Sequence, residues 1–250
     1  MRWKTTVCSG AFALGLFAMP AAAAPITGVL NILGSATVTA DSIDWAPDGG
    51  ATGIFVLSAD SEAYFDGIEI PFPINTGESL DLPAGAFPVA NFLSNFTTPN
   101  PEFDDLSFTL EGFDIPAVGV CGTADASPSG ILGDETGETC VVFAGSPFSL
   151  TVGANPATTD VGFNVFGSFV DLTYGDDGSL NDAIGLYTTN ISDMTPLQIQ
   201  AVILAGGSVE ASYSAEYNAT AVDVPEPVSL SLTGLGLAAL GYRIRRRRQG

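Results

Sequence analysis

All seven cationic side chains of this 250-residue chain lie at its two ends. Arg2 and Lys4 stand at the start, and Arg243, Arg245, Arg246, Arg247 and Arg248 at the finish. Between Thr5 and Tyr242 there is no Lys or Arg, and the chain has no His. All 28 Asp and Glu residues fall inside that stretch, which gives a net charge of −21. A fold built from it forms no side-chain salt bridge. Its carboxylates must be spread over solvent or neutralised by bound cations, because like charge opposes compaction. A basic patch for nucleic acid or for an anionic membrane surface is excluded. Ser-His-Asp and Cys-His catalysis are excluded with it.

The two ends read as targeting segments. Arg2 and Lys4 precede an apolar run, Cys8 to Met19, and then Pro20 and Ala21 to Ala24. Charged start, short apolar centre and small residues are the parts of a signal peptide. The expected signal is 1–23, cut by signal peptidase after Ala23. At the other end Pro225-Glu226-Pro227 is followed by an uncharged segment, 228–242, and then by the arginines. As a helix this segment would span about 22 Å, short of the roughly 30 Å hydrocarbon core, and snorkelling arginines can cover part of the difference. Basic ends stay cytoplasmic, so the body is expected to face outward.

Pro225-Glu226-Pro227, the apolar segment and the arginine-rich end, in this order over 224–250, resemble the PEP-CTERM sorting signal. The resemblance implies export in a Gram-negative bacterium, often one that makes exopolysaccharide. It also implies a membrane transpeptidase, exosortase, as the partner that processes the tail. More loosely, the body is similar to a recurrent group of PEP-CTERM ectodomains. The shared features are Ile43-Asp44-Trp45, two mid-chain cysteines, Ser146-Pro147-Phe148, and Thr195-Pro196 leading to Gly206-Gly207-Ser208. That likeness bears on architecture only.

The remaining 24–223 is one domain's length and long enough for a core. Its two cysteines, Cys121 and Cys140, form an even set in an oxidising compartment, which suggests a disulfide; two buried thiols are the alternative. Runs rich in Val, Ile and Thr predict strands over 26–33, 35–40, 54–58, 106–110, 140–143 and 148–152. Val161, Phe163 and Val165 alternate with smaller or polar neighbours. Val209 to Tyr217 alternates apolar and polar residues, as in a half-solvated antiparallel strand. Thr195-Pro196-Leu197-Gln198 reads as a capped helix start, with Leu197, Ala201 and Leu204 on one face and Gly206-Gly207 as its end. The expected fold is mainly β with one short helix: an antiparallel sandwich, or a partly open barrel.

Chemistry has few candidates. A glycosidase needs only two carboxylates, so it is the one common hydrolase that the composition allows. No cofactor is expected, and Ca²⁺ is the ion that clustered oxygens would suit. Asp176, Asp177 and Asp182 form one such cluster; Asp41, Asp44 and Asp48 form another. Neither has EF-hand spacing, and both also fit solvated turns. Phe87, Phe92, Phe96, Phe103 and Phe108 could serve a glycan, although Phe at strand borders is usually core. The expectation is a non-enzymatic surface or matrix protein, associated with exopolysaccharide. The alternatives are a Ca²⁺- or glycan-binding module and a carboxylate-dependent glycan hydrolase. If the arginines fix topology, replacing Arg245 to Arg248 with Ser should release or mis-orient the precursor. Fractionation and the mass of the terminal peptide check this; unchanged retention and processing would contradict it.

Overall fold

The computed structural model describes residues 25–45, 52–58, 61–65, 76–83, 87–97, 103, 105–155, 158–173 and 177–222. The signal segment 1–23 and the tail 224–250 lie outside the described residues. The strands are β1 (Gly28–Val38), β2 (Ser42–Trp45), β3 (Thr52–Leu57), β4 (Glu62–Ala63), β5 (Thr76–Leu80), β6 (Leu82–Pro83) and β7 (Val89–Thr97). They continue with β8 (Leu106–Asp114), β9 (Thr139–Val141), β10 (Ser149–Val152), β11 (Thr158–Asp171), β12 (Asn181–Ser192) and β13 (Val209–Ala221). Helix α1 (Pro196–Leu204) joins β12 to β13.

Eight of these strands close into a ring in chain order: β1, β3, β5, β7, β8, β11, β12, β13. Every neighbouring pair is antiparallel, and β13 returns to β1 over the full length from Gly28↔Ala219 to Val38↔Val209. This corrects the expected sandwich and fits the barrel alternative, with the barrel closed rather than partly open. The physical reason is that β12 and β1, which a sandwich would leave as edges, both pair on two sides, so no ring strand carries a free ladder. Strands β2, β3 and β4 follow one another along β1, at Ala36↔Trp45, Ile32↔Leu57 and Gly28↔Ala63.

The interior is packed with rings. Trp45 lies 5.0 Å from both Tyr187 and Tyr213, and Tyr187 stacks on Phe163 at 4.6 Å. Tyr217 continues the column to Phe108 at 5.0 Å, and Phe108 to Phe169 at 5.0 Å. Room for such rings comes from glycine on the neighbouring strand. A Cβ at Gly34, Gly77 or Gly185 would sit 2.5 Å from the Tyr213 hydroxyl, 2.3 Å from Phe55 or 2.6 Å from Tyr217. Small therefore faces large around the barrel, as an eight-stranded interior requires. Gly34, which the composition reads as a break between two strands, sits mid-way in one continuous β1 for this reason.

On β8 the pairing passes from Gly112↔Phe166 to Leu110↔Gly167, which leaves Glu111 as an extra residue. This bulge moves the inward set from Leu106, Phe108 and Leu110 to Phe113. Residues 115–155 then form a lobe stapled by the Cys121–Cys140 disulfide, with Cα atoms 5.0 Å apart. Its strands β9 and β10 extend the sheet beside the first half of β11. A separate apolar cluster joins the lobe to the helix: Cys121, Cys140, Val142, Leu150, Ile199 and Ile203.

Helix α1 starts with the expected capping box, Thr195 with Gln198. The buried face differs from expectation. Pro196, Ile199 and Ile203 are buried, while Ala201 and Leu204 face solvent. The lobe decides this: Gln200 Nε2 donates to the carbonyls of Cys121 and Val142, both at 2.9 Å, and turns the isoleucines inward.

The glycine–ring packing predicts that Gly185→Val, which drives a side chain into Tyr217 and Val165, destabilises by about 2–3 kcal/mol. The outward Ile184→Val next to it should change stability by less than about 0.5 kcal/mol. Urea denaturation of both variants checks this; equal midpoints would refute the packing account.

Candidate functional site

The sequence-expected residues fall into three groups. Cys121 and Cys140 are bonded to each other. Pro225, Glu226, Pro227 and Arg243, Arg245, Arg246, Arg247, Arg248 lie outside the described residues, as do Asp176 and Asp48. The described acidic residues are dispersed. Asp177 sits in a turn, where its Oδ1 accepts from Ser179 N at 3.1 Å. Asp182 belongs to strand β12 and faces outward, so it is not a member of the same turn. Asp41 lies in the β1–β2 turn, bonded by Thr39 Oγ1 at 3.0 Å, and Asp44 lies on β2. Among the described residues no group of three His, Cys, Asp or Glu side chains converges for a metal ion. Phe92, Phe96, Phe103 and Phe108 are interior. Phe87 is 41 % exposed and packs edge-on against Phe113 at 5.2 Å.

Two surfaces remain with organised chemistry. The first is on the outside of the barrel, across β10, β11, β12 and β13, where an open groove of about 720 Å³ is lined by hydroxyl, amide and carboxylate groups together with the apolar side chains of Leu33 and Val161. Period-two alternation turns Ser149, Thr151, Asp160, Thr188, Asn190 and Ser214 outward here, on neighbouring strands. Thr188 Oγ1 and Ser214 Oγ are 3.0 Å apart, and Asn190 Nδ2 donates to Asp160 Oδ1 at 2.6 Å. Further along the same face, roughly 13 Å from Gly162 by strand rise, Phe166 stands 42 % exposed. Its ring reaches over Gly112, whose missing Cβ would lie 2.6 Å from the ring tip. Exposed Ile184 and Leu186 flank it on β12.

The second surface is at the barrel end covered by the lobe and the helix. A partly open, largely apolar chamber of about 70 Å³ is walled by Trp45, Tyr187 and Tyr213 from the barrel and by Val142, Leu150 and Ile199 from the lobe and helix. Beside it a groove of about 280 Å³ runs along Phe87, Phe113, Ile115 and Pro147. Thr39, Ile43, Phe143 and Phe148 belong to both walls. Trp45 is 2 % exposed; its backbone N–H donates to Asp81 Oδ1 at 2.9 Å, and its indole Nε1–H has no partner among the described residues.

Ionisation follows burial. The Tyr187 and Tyr217 hydroxyls, 2.6 Å apart and fully inside, are pushed well above the usual phenol range by desolvation. Tyr213 is raised by the same cause. The half-buried Glu138 goes the other way. Its Oε2 accepts from the Glu135, Gly133 and Asp134 N–H groups at 3.1, 2.9 and 3.1 Å, which lowers its pKa and ties the lobe turn together. That contribution is present above the ordinary glutamate range and is lost as pH falls through the lowered value. Asp177 is also lowered, by the Ser179 side chain and then its backbone N–H.

Sequence reasoning missed the outer face because it missed β12. That strand carries Asn181 and Gly185 inward and Ile184 and Leu186 outward, which inverts the usual pattern. The usable signal was the spacing of Gly112, Gly167 and Gly185 against Phe166, Phe108 and Tyr217. Among the described residues no helix is long and apolar enough to cross a membrane. No protein-family model matches the chain, and neither does a curated protein or a solved structure.

Proposed function

We propose that this chain is an exported, non-enzymatic protein of the cell surface or extracellular matrix that holds exopolysaccharide on the outer face of its barrel. In this reading, segment 1–23 delivers it, and the PEP-CTERM-like tail 224–250 retains it until an exosortase-type enzyme processes it. The segregation of all seven cationic side chains to the two ends supports the delivery. The observation that carries the binding is the outer face itself. Hydroxyl and amide groups of Thr188, Ser214 and Asn190 share the outward face of the barrel with the exposed Phe166 ring. Sugars combine hydroxyl edges with apolar C–H faces, so they suit a surface that offers both. With no Lys, Arg or His between Thr5 and Tyr242, an uncharged glycan is the better ligand; an anionic one would need bridging Ca²⁺.

The test is co-sedimentation of the purified protein with exopolysaccharide from its own producer. Phe166→Ala should weaken retention about tenfold, from the loss of ring contact worth up to about 1.5 kcal/mol. Thr188→Ala with Ser214→Ala should weaken it further, with and without EDTA. Retention that survives all three changes would refute the reading. Release of reducing sugar, abolished by Asp160→Asn, would instead favour the hydrolase.

A further inference from the structure

We propose that the groove between the β1–β2 turn, the end of β8 and the lobe turn 143–148 binds a small organic cation of the alkylammonium class, through aromatic rings and the Asp41 carboxylate. The site lies at the barrel end, apart from the outer face, and does not depend on the reading of that face. Two residues that the sequence offers to different ligands, Phe87 to a glycan and Asp41 to Ca²⁺, line this one groove. Phe113, Phe143 and Phe148 line it with them. The aromatic wall is fixed from behind. Phe113 and Phe148 both pack edge-on against the same core ring, Phe163, at 5.9 and 5.0 Å, and Phe87 packs edge-on against Phe113. The lobe turn is tied by Ser146, whose N–H donates to Phe143 O at 3.0 Å and whose Oγ accepts from Phe148 N at 3.3 Å. Asp41 is held too: Thr39 Oγ1 donates to its Oδ1 at 3.0 Å, and Thr39 N donates to Ser42 O at 3.0 Å, which closes the turn.

Charge and hydration narrow the ligand. There is no Lys, Arg or His between Thr5 and Tyr242, so no side chain of the barrel or lobe neutralises Asp41. An anion entering the groove would meet only like charge. A metal ion suits it no better. Ca²⁺ takes six to eight oxygen ligands, and among the described residues no group of three carboxylates converges. It would also exchange its water for ring carbons. An alkylammonium group differs, because its charge is spread beneath a hydrocarbon surface and is attracted to the faces of aromatic rings. The groove volume of about 280 Å³ lies just below the roughly 300–1,000 Å³ of drug-sized pockets, which suits a head group of this kind. The acidic body draws cations toward the groove, and the rings select among them.

Choline and its uncharged carbon isostere, 3,3-dimethyl-1-butanol, separate charge from shape. Each is titrated against the full-length protein at constant ionic strength, with binding read from the ligand's NMR signals. Choline should bind one to one with a dissociation constant of about 1 mM or tighter, and the alcohol at least about fivefold more weakly. Phe87→Leu keeps apolar bulk but removes the ring. It should weaken choline about fivefold and the alcohol less than about twofold. Asp41→Asn should also weaken choline about fivefold. Asp182→Asn removes the same charge from the outward face of β12 and should change choline binding by less than about twofold. Circular dichroism checks that each variant folds. Absence of saturable choline binding overturns the proposal. So does equal affinity for choline and the alcohol, which an apolar groove alone would give. Unchanged choline binding in folded Phe87→Leu overturns it as well. An Asp182→Asn effect as large as that of Asp41→Asn marks general attraction to an acidic surface and overturns it too. If Asp41→Asn fails to fold, the isostere and Phe87→Leu comparisons still decide it.

Discussion

An eight-stranded antiparallel ring encloses a space only about one layer of side chains wide, and this protein fills that space with aromatic rings. Each ring needs a gap on the next strand, and glycine supplies it at Gly34 for Tyr213, Gly77 for Phe55 and Gly185 for Tyr217. The dependence runs both ways. Without the rings the glycines would leave voids, and without the glycines the strands could not approach closely enough to close. Closure in turn pairs both flanks of every ring strand, which spares an acidic chain the edge charges that usually block strand-to-strand aggregation.

The same packing answers the charge problem. A body with no cationic side chain from Thr5 to Tyr242 cannot use side-chain ion pairs to hold itself together, and several of its interior polar groups, the buried carboxylate of Asp171 among them, are held by hydrogen bonds instead. Tyr187 pairs with Tyr217, Asn181 closes a two-way bond with the Phe169 backbone at 2.8 Å each way, and Asp171 accepts from Tyr64 and from Thr173 N. The lobe is held differently. There the disulfide, the Glu138 turn and Gln200 fix a short segment with a small core of its own. This division leaves a chamber where the lobe and helix meet the barrel end, and an outer groove where the lobe strand β10 continues the sheet beside β11 and β12.

Much of this was legible in the sequence. The strong alternation in β13, the Thr195 capping box and the paired cysteines each depend on a local or compositional rule, and each is present. Closure was not legible, because a half-solvated strand reads the same in a sandwich and in a barrel. Strand β12 was hidden by outward Ile184 and Leu186, and the helix face is shifted, with Leu197 still packed on the lobe but Ile199 and Ile203 buried in place of Ala201 and Leu204, beside Gln200 bonded to the lobe backbone. The candidate sites lay deeper still. Phe166 over Gly112 is a product of register and packing, not of any motif.

The central claim is that the barrel is closed around a dry aromatic column, and tyrosine titration tests it most directly. Burial raises Tyr187, Tyr213 and Tyr217, so the fold favours their neutral forms. The stability they confer is complete below the ordinary phenol pKa of about 10 and falls as pH rises beyond it. Absorbance at 295 nm and far-ultraviolet circular dichroism should be followed together through alkaline pH. The account predicts that tyrosinate from these three side chains appears only as the β-sheet signal is lost, in one cooperative step. Smooth ionisation of all six tyrosines near the ordinary phenol value, with the sheet signal intact, would contradict it.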